Sequence, residues 1–280
     1  MLPFNPILSH FEFQQLAQAR QEKKAVLSIS LDIQKSQQTV ELSSEHWGWE
    51  GHFFPYEEEI RPNTFYIWEP TQNHFVELLQ EDPFTGGIVK LAPTSHGPPN
   101  FHINGIQMLP QKKVNPFLDA QQKVKLVRPR GKRVLDTCGG LGYFAYFCLE
   151  EGAEQIISFE INPAVLWLRE RNPWSPKKTN LKLQLTEADV FQQILLCADR
   201  SFECILHDPP RFSIAGDLYS LAFYRQLYRV MKPRGILFHY TGNPFQFSHG
   251  RMFIQEVGKR LEKAGFRTQK ALDGLLVEKI

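Results

Sequence analysis

The stretch VLDTCGGLGY, Val134 to Tyr143, decides how the second half of the chain reads. A short apolar run ends on Asp136, three glycines follow at 139, 140 and 142, and a helix-patterned FAYFCLEEG comes next. Glycines between a strand and a helix let the backbone turn tightly and approach a ligand, while the helix N-terminus offers free N–H groups. Outward from this turn the rhythm persists. QIISFE, LKLQLTEAD, FECILHD and GILFHY have strand length, and PAVLWLRERN and LYSLAFYRQLYRVM have helix length. Upstream, PFLDAQQKVKLV predicts a helix with Pro116 in its first turn. The tail predicts a helix ended by Gly265 and then a strand pair. Such alternation is the pattern of a parallel sheet covered by helices on both faces, so the fold class is α/β.

The first hundred or so residues read differently. Ile7 to Gln21 has the pattern of a short amphipathic helix, and AVLSISLDI, TVELS, TFYIWEP, FVELLQ, GIVKLAP and FHINGIQML follow as strand-like segments. Turn formers such as Pro62-Asn63 and Gly86-Gly87 separate them. The expected organisation is a mostly β N-terminal domain over residues 1–110, a junction near APTSHGPPNF and QMLPQKKVNPF, and an α/β domain over 115–280. The chain has 280 residues, 42% hydrophobic and 22% charged, which suits a globular protein with a sizeable core. With 32 Lys and Arg against 30 Asp and Glu, its net charge of +2 lacks the strong positive field that fixes a protein on duplex DNA. Its four cysteines form no C-x-x-C pair and read as reduced core thiols, which sets a cytoplasmic expectation. No membrane span, secretory leader or metal-ligand spacing is seen, and the oligomeric state stays open.

The strand QIISFE ends in Glu160, 24 residues beyond Asp136, near the spacing at which an acid behind a nucleotide-binding turn reaches ribose hydroxyls. The glycines do not form the G-x-G-x-x-G of nicotinamide sites. The order D-x-x-x-G-x-G resembles instead that of the class I S-adenosylmethionine-dependent methyltransferases. This resemblance implies a Rossmann-like sheet and S-adenosylmethionine as cofactor. It also implies that Asp136, Gly140 and Gly142 hold the methionine part, Glu160 the ribose and Asp189 the adenine.

A fourth strand ends abruptly in HDPPRF. In open parallel sheets ligands bind outside the carboxyl ends of the strands, so His207 and Asp208 emerge where cofactor and substrate meet, and Pro209-Pro210 stiffens the backbone there. DPPRF resembles the (D/N)-P-P-(Y/F/W) element of methyltransferases acting on exocyclic amino groups of nucleobases. That implies Asp208 and the Pro209 carbonyl as acceptors for the amine and Phe212 as a stacking group, although Arg211 is inserted before the aromatic. A likeness to ribosomal RNA cytosine-5 methyltransferases fails because FHYTGNP holds no nucleophilic cysteine. DTCGGLGY, NPWS and the run from His207 to Gly242 are most similar to a group of prokaryotic predicted methyltransferases of unassigned substrate. DLYSLAFYRQLYRVMKPRGIL is also similar to spermidine synthases, which transfer aminopropyl groups.

Further candidates complete the expected site. His239 and Tyr240 end the strand beside His207 and Asp208, and alternation lets only one of each adjacent pair face the cleft. Lys112 and Lys113 form either a solvated loop pair or phosphate contacts. Trp47, Trp49, Phe53, Phe54 and Tyr56 either pack a sheet or stack bases. The expected activity is N-methylation of an amine, with an RNA base ahead of a small amine as substrate. The alternatives are aminopropyl transfer, small-molecule methylation, a dinucleotide-dependent oxidoreductase and a catalytically silent cofactor-binding subunit.

Overall fold

In a computed structural model, residues 4–95, 97–110, 114–242 and 250–280 are described. The chain divides into two compact units, residues 1–116 with 170–174, and residues 117–169 with 175–280.

The first unit is β-rich. It begins with β1 (Ile7–Ser9) and α1 (His10–Gln21), so the helix expected from Ile7 starts three residues later. A capping box sets that start: Ser9 and Glu12 satisfy one another's backbone, and Ser9 N–H donates to Glu12 Oε2 at 2.8 Å. Ten strands follow: β2 (Val26–Ile29), β3 (Gln38–Leu42), β4 (His46–Trp49), β5 (His52–Pro55), β6 (Phe65–Glu69), β7 (His74–Glu77), β8 (Leu79–Glu81), β9 (Ile88–Ala92), β10 (Asn100–Ile103) and β11 (Ile106–Gln107). They form antiparallel sheets ordered β1-β6-β7, β2-β3-β4-β5 and β11-β10-β9-β8. FVELLQ is therefore two strands in two sheets, parting at the fully buried Leu78. The core of this unit is aromatic. Trp47 stacks on Phe54 at 4.3 Å, and Phe54 and Phe75 each meet the Trp68 ring edge to face. Trp174 belongs here too, its Nε1–H donating to the Ile33 carbonyl at 2.8 Å.

The second unit is the alternating one. It runs α2 (Pro116–Val127), β12 (Arg133–Asp136), α3 (Tyr143–Glu150), β13 (Gln155–Glu160), α4 (Pro163–Arg171), β14 (Leu183–Glu187), α5 (Val190–Gln193), β15 (Phe202–His207), α6 (Leu221–Val230), β16 (Met231–Tyr240), α7 (Gly250–Lys263), β17 (Phe266–Ala271) and β18 (Gly274–Lys279). One seven-stranded sheet results, ordered β14-β13-β12-β15-β16-β18-β17, with only β18 antiparallel to its neighbours. The order reverses between β12 and β15, and at such a switch point the carboxyl ends of the strands form a crevice. Met231 was expected in the helix but pairs with Phe202 in the sheet, and the register then slips across Lys232 to Gly235. Gly265, at φ +105, ends the last helix in the left-handed conformation expected of a glycine there.

Candidate cofactor and substrate site

The glycine turn is built by close approach. Gly140 and Gly142 have φ of 49 and 81, a region in which a side chain is strained. At Gly139 the constraint is space, since a Cβ would lie 2.4 Å from Ser158 Oγ and 2.9 Å from an Arg169 nitrogen. Asp136, 1% exposed at the end of β12, accepts from Ser158 Oγ at 2.8 Å through Oδ2, while Oδ1 has no hydrogen-bond partner among the described residues. Burial pushes its carboxyl up to about 6, against the pull of Arg169 and Ser158.

Glu160 closes the other side of the turn. Its Oε2 accepts from the Gly140 N–H at 2.8 Å and its Oε1 from the Asn162 N–H at 2.9 Å. A carboxylate has about four acceptor sites, so these backbone donors do not use up its capacity to accept from a ribose hydroxyl. An orphaned acid and a glycine cradle fit a ligand with an ammonium group and a ribose. Asp189 is used differently, capping α5 by accepting from the Phe191 N–H at 2.8 Å.

At the end of β15 the imidazole of His207 turns inward. Its Nε2 lies 3.0 Å from the Leu218 carbonyl, which can only accept, so that nitrogen carries the proton and Nδ1 accepts from Thr137 Oγ1 at 2.8 Å. Burial holds the ring neutral, down to about 3. His239 is likewise fully buried, shares a hydrogen bond with Tyr224 OH at 2.8 Å and is held well below its ordinary range. Of the two readings open for a histidine at such a strand end, hydrogen-bonded packing residue or base, this burial favours the first, and alternation leaves half-buried Asp208 and Tyr240 on the other side.

Asp208 sits in a charged setting. Burial pushes its carboxyl up to about 7, Lys123 pulls it down, and Asp119, Asp273 and Asp136 push it up. Lys123, fully buried on α2, pairs with Asp119 at 2.6 Å and Asp273 at 3.2 Å and lies 4.4 Å from the Tyr240 ring centre. The Pro209 and Pro210 carbonyls accept from Tyr219 OH at 3.4 and 3.0 Å, which fixes the turn after the strand. Phe212 is 50% exposed at the edge of Tyr219 and Phe253.

The second unit thus brings Asp136, Gly140, Gly142, Glu160, Asp208, Pro209 and Tyr240 to the carboxyl edge of one sheet. Lys123, Asp119, Asp273, Arg169, Thr137 and Tyr219 were missed by sequence reading. The available signal was charge on apolar helix faces: Asp119 and Lys123 are four apart on α2, and Arg169 lies four beyond buried Val165 on α4. In the first unit Trp47, Trp49 and Phe54 are core rather than stacking platforms, Tyr56 OH donates to the Ser43 carbonyl, and Phe53 is 64% exposed. Lys112 and Lys113 lie outside the described residues. Among the described residues no helix is long and apolar enough to cross a membrane.

Residues 117–234 match the family model of the FtsJ-like methyltransferases. An uncharacterized protein of Methanocaldococcus jannaschii is 43% identical over 201 residues, 71% of this chain and 69% of its own. A second protein of that organism, provisionally named a protein N5-glutamine methyltransferase, is 29% identical over 92 residues, 33% of this chain and 43% of its own. A spermidine synthase solved with the transition state analogue AdoDATO superposes with a TM-score of 0.57 at 16% identity, over 79% of this chain and 82% of its own, a likeness of fold. The protein is an S-adenosylmethionine-dependent methyltransferase of the class I fold. Within that class it belongs to the family of the first Methanocaldococcus jannaschii protein.

Proposed function

We propose that the protein methylates an amine nitrogen, and that its substrate is a small cationic amine. In this reading Asp136, Gly140 and Gly142 hold the methionine part of the cofactor and Glu160 its ribose. Asp208 and the Pro209 carbonyl take the hydrogens of the substrate nitrogen, and Tyr240 borders the substrate. Asp189 keeps an adenine contact only through the carboxylate oxygen that its helix cap leaves free. Residues 115–280 carry cofactor and chemistry, and residues 1–110 select the substrate.

The observation that carries the substrate class is charge. Among the described residues Asp119, Asp208 and Asp273 face Lys123 as their cation, with Arg211 acting on neighbouring Tyr240, so the acids around Asp208 outnumber its cations and favour a positive ligand. Bound S-adenosylmethionine supplies a methyl carbon on a sulfonium whose sulfur leaves with the bonding pair. The chain must therefore align a nitrogen lone pair and remove a proton from an ammonium. A carboxyl pushed up to about 7 matches that task near neutral pH.

Labelled S-adenosylmethionine incubated with cell extract, then split into RNA, protein and small-molecule fractions, tests this reading. Label is expected in the small-molecule fraction, insensitive to nuclease and lost with Asp208→Asn. A second reading, methylation of an RNA base, draws on the D-P-P likeness and on exposed Phe212, and predicts nuclease-sensitive label. Aminopropyl transfer from decarboxylated S-adenosylmethionine without any methyl transfer would remove both.

A further inference from the structure

We propose that Arg169 is a positioning residue of the cofactor site, the shared counter-charge of Asp136 and Glu160 and the floor against which the glycine turn closes. The inference rests on the reading that those two acids hold S-adenosylmethionine. Arg169 is 3% exposed, on the face of α4 that also buries Val165 and Leu168. Its guanidinium lies under the turn. A Cβ on Gly142 would stand 2.5 Å from Arg169 Cζ, and one NH1 hydrogen points at the Gly140 carbonyl over a long 3.5 Å. Arg169 NH2 has no hydrogen-bond partner among the described residues, although it is buried. A guanidinium taken out of water is costly unless charge offsets it, and the charges it faces are Asp136 and Glu160.

The other groups around the acids do not replace it. Ser158 Oγ and the backbone N–H groups of Gly140 and Asn162 are neutral donors. Cys138 is pushed well up by burial and by both acids, so it stays a neutral thiol, and Asp208 adds negative charge beside Asp136. Without the guanidinium, Asp136 loses the cation that most favours its ionised form, and Glu160 is left with its backbone donors alone. A protonated Asp136 offers a cofactor ammonium a weaker acceptor, and the turn loses its floor.

Calorimetric titration of the whole protein with S-adenosylmethionine at pH 6, 7 and 8.5 tests this, for wild type, Arg169→Met and Arg169→Lys. Arg169→Met is expected to weaken binding about tenfold or more at pH 7, with the deficit shrinking toward pH 8.5 as the acids ionise unaided. Arg169→Lys keeps a charge without the planar fork, so it should show a smaller loss and a wild-type pH profile. Binding within twofold of wild type at every pH would overturn the proposal, as would a loss equal at every pH that lysine does not lessen. Where Arg169→Met fails to fold, Arg169→Gln loses the charge but keeps an N–H for the Gly140 carbonyl and serves the same titration. Asp136→Asn and Glu160→Gln separate the two layers: wild-type binding in both sinks the cofactor assignment itself, whatever Arg169 does.

Discussion

The two units of this chain bury opposite things. The first fills its interior with rings, Trp47 and Phe54 being 0% and 1% exposed, and its buried acids Glu12 and Asp82 are spent on local hydrogen bonds to Ser9 and Thr85. The second has an ordinary aliphatic and aromatic core, yet at its strand ends it buries Lys123, Asp136, Arg169, His207 and His239 at 0–3% exposure. Ring burial is favourable at roughly 25 cal/mol per Å² of apolar surface, whereas a buried charge costs several kcal/mol before pairing offsets it. Buried charges with few neutralising partners thus gather at one edge of one sheet, where, on the proposed reading, a cationic cofactor offsets part of their cost.

Substitutions can break that comparison. The largest effect is expected from Trp47→Ala, which opens a cavity among stacked rings and should cost about 3–5 kcal/mol of unfolding free energy. Affinity of the folded protein for S-adenosylmethionine should not change; a shift in Kd would show that the first unit is more than a separate core. Glu160→Ala should instead weaken cofactor binding by about 1–3 kcal/mol, and it should also lower Tm because the Gly140 and Asn162 N–H groups lose their acceptor. Asp136 sharpens the contrast through pH. Its folded carboxyl, up at about 6, lies above its ordinary value of 3.8, so the folded chain holds the proton more tightly than the unfolded one between those values. Its contribution to apo stability is full below about pH 4 and is lost as pH rises through 6, a change of about 2–3 kcal/mol. Urea unfolding at pH 4.5 and 7.5 should therefore show Asp136→Asn gaining on wild type as pH rises. Cofactor affinity should run the other way in wild type, increasing as Asp136 ionises.

Much of the second unit was legible because its signals are local. Glycines after Asp136, an acid closing QIISFE and prolines after Asp208 each declare a strand end. Partners distant in sequence left little trace. Lys123 meets Asp273 only because β18 enters the sheet beside β16, and Arg169 meets the glycine turn only because α4 packs beneath it. The histidines stayed open for a related reason. Position at a strand end is readable, but which face a side chain takes depends on the register, and Thr137 and Tyr224 draw both rings inward. In the first unit the rings of HWGWEGHFFPY stayed undivided between core and surface, since pairing of β4 with β5 decides that Phe54 faces Trp47 and Phe53 faces out.

The smallest expected effects come from the two exposed rings, and they bear on the substrate. Phe53 and Phe212 are 64% and 50% exposed, so alanine at either should change stability by no more than about 0.5 kcal/mol. Phe53→Ala then serves as the control for Phe212→Ala, because only Phe212 follows the D-P-P turn. A nucleobase stacked on Phe212 would contribute about 1–3 kcal/mol, so its loss would lower kcat/KM on RNA roughly tenfold or more. A small cationic amine has no ring to stack, and the charge around Asp208 and Lys123 recognises it instead. Kinetics with the substrate recovered from the labelling experiment should therefore leave Phe212→Ala within about twofold of wild type, since no stacking energy is forfeited. Rising salt should weaken that substrate's binding only modestly, because the attraction comes from a few half-buried carboxyls rather than a phosphate backbone. A tenfold loss in Phe212→Ala together with a steep salt dependence would transfer the site from a cationic amine to a nucleobase.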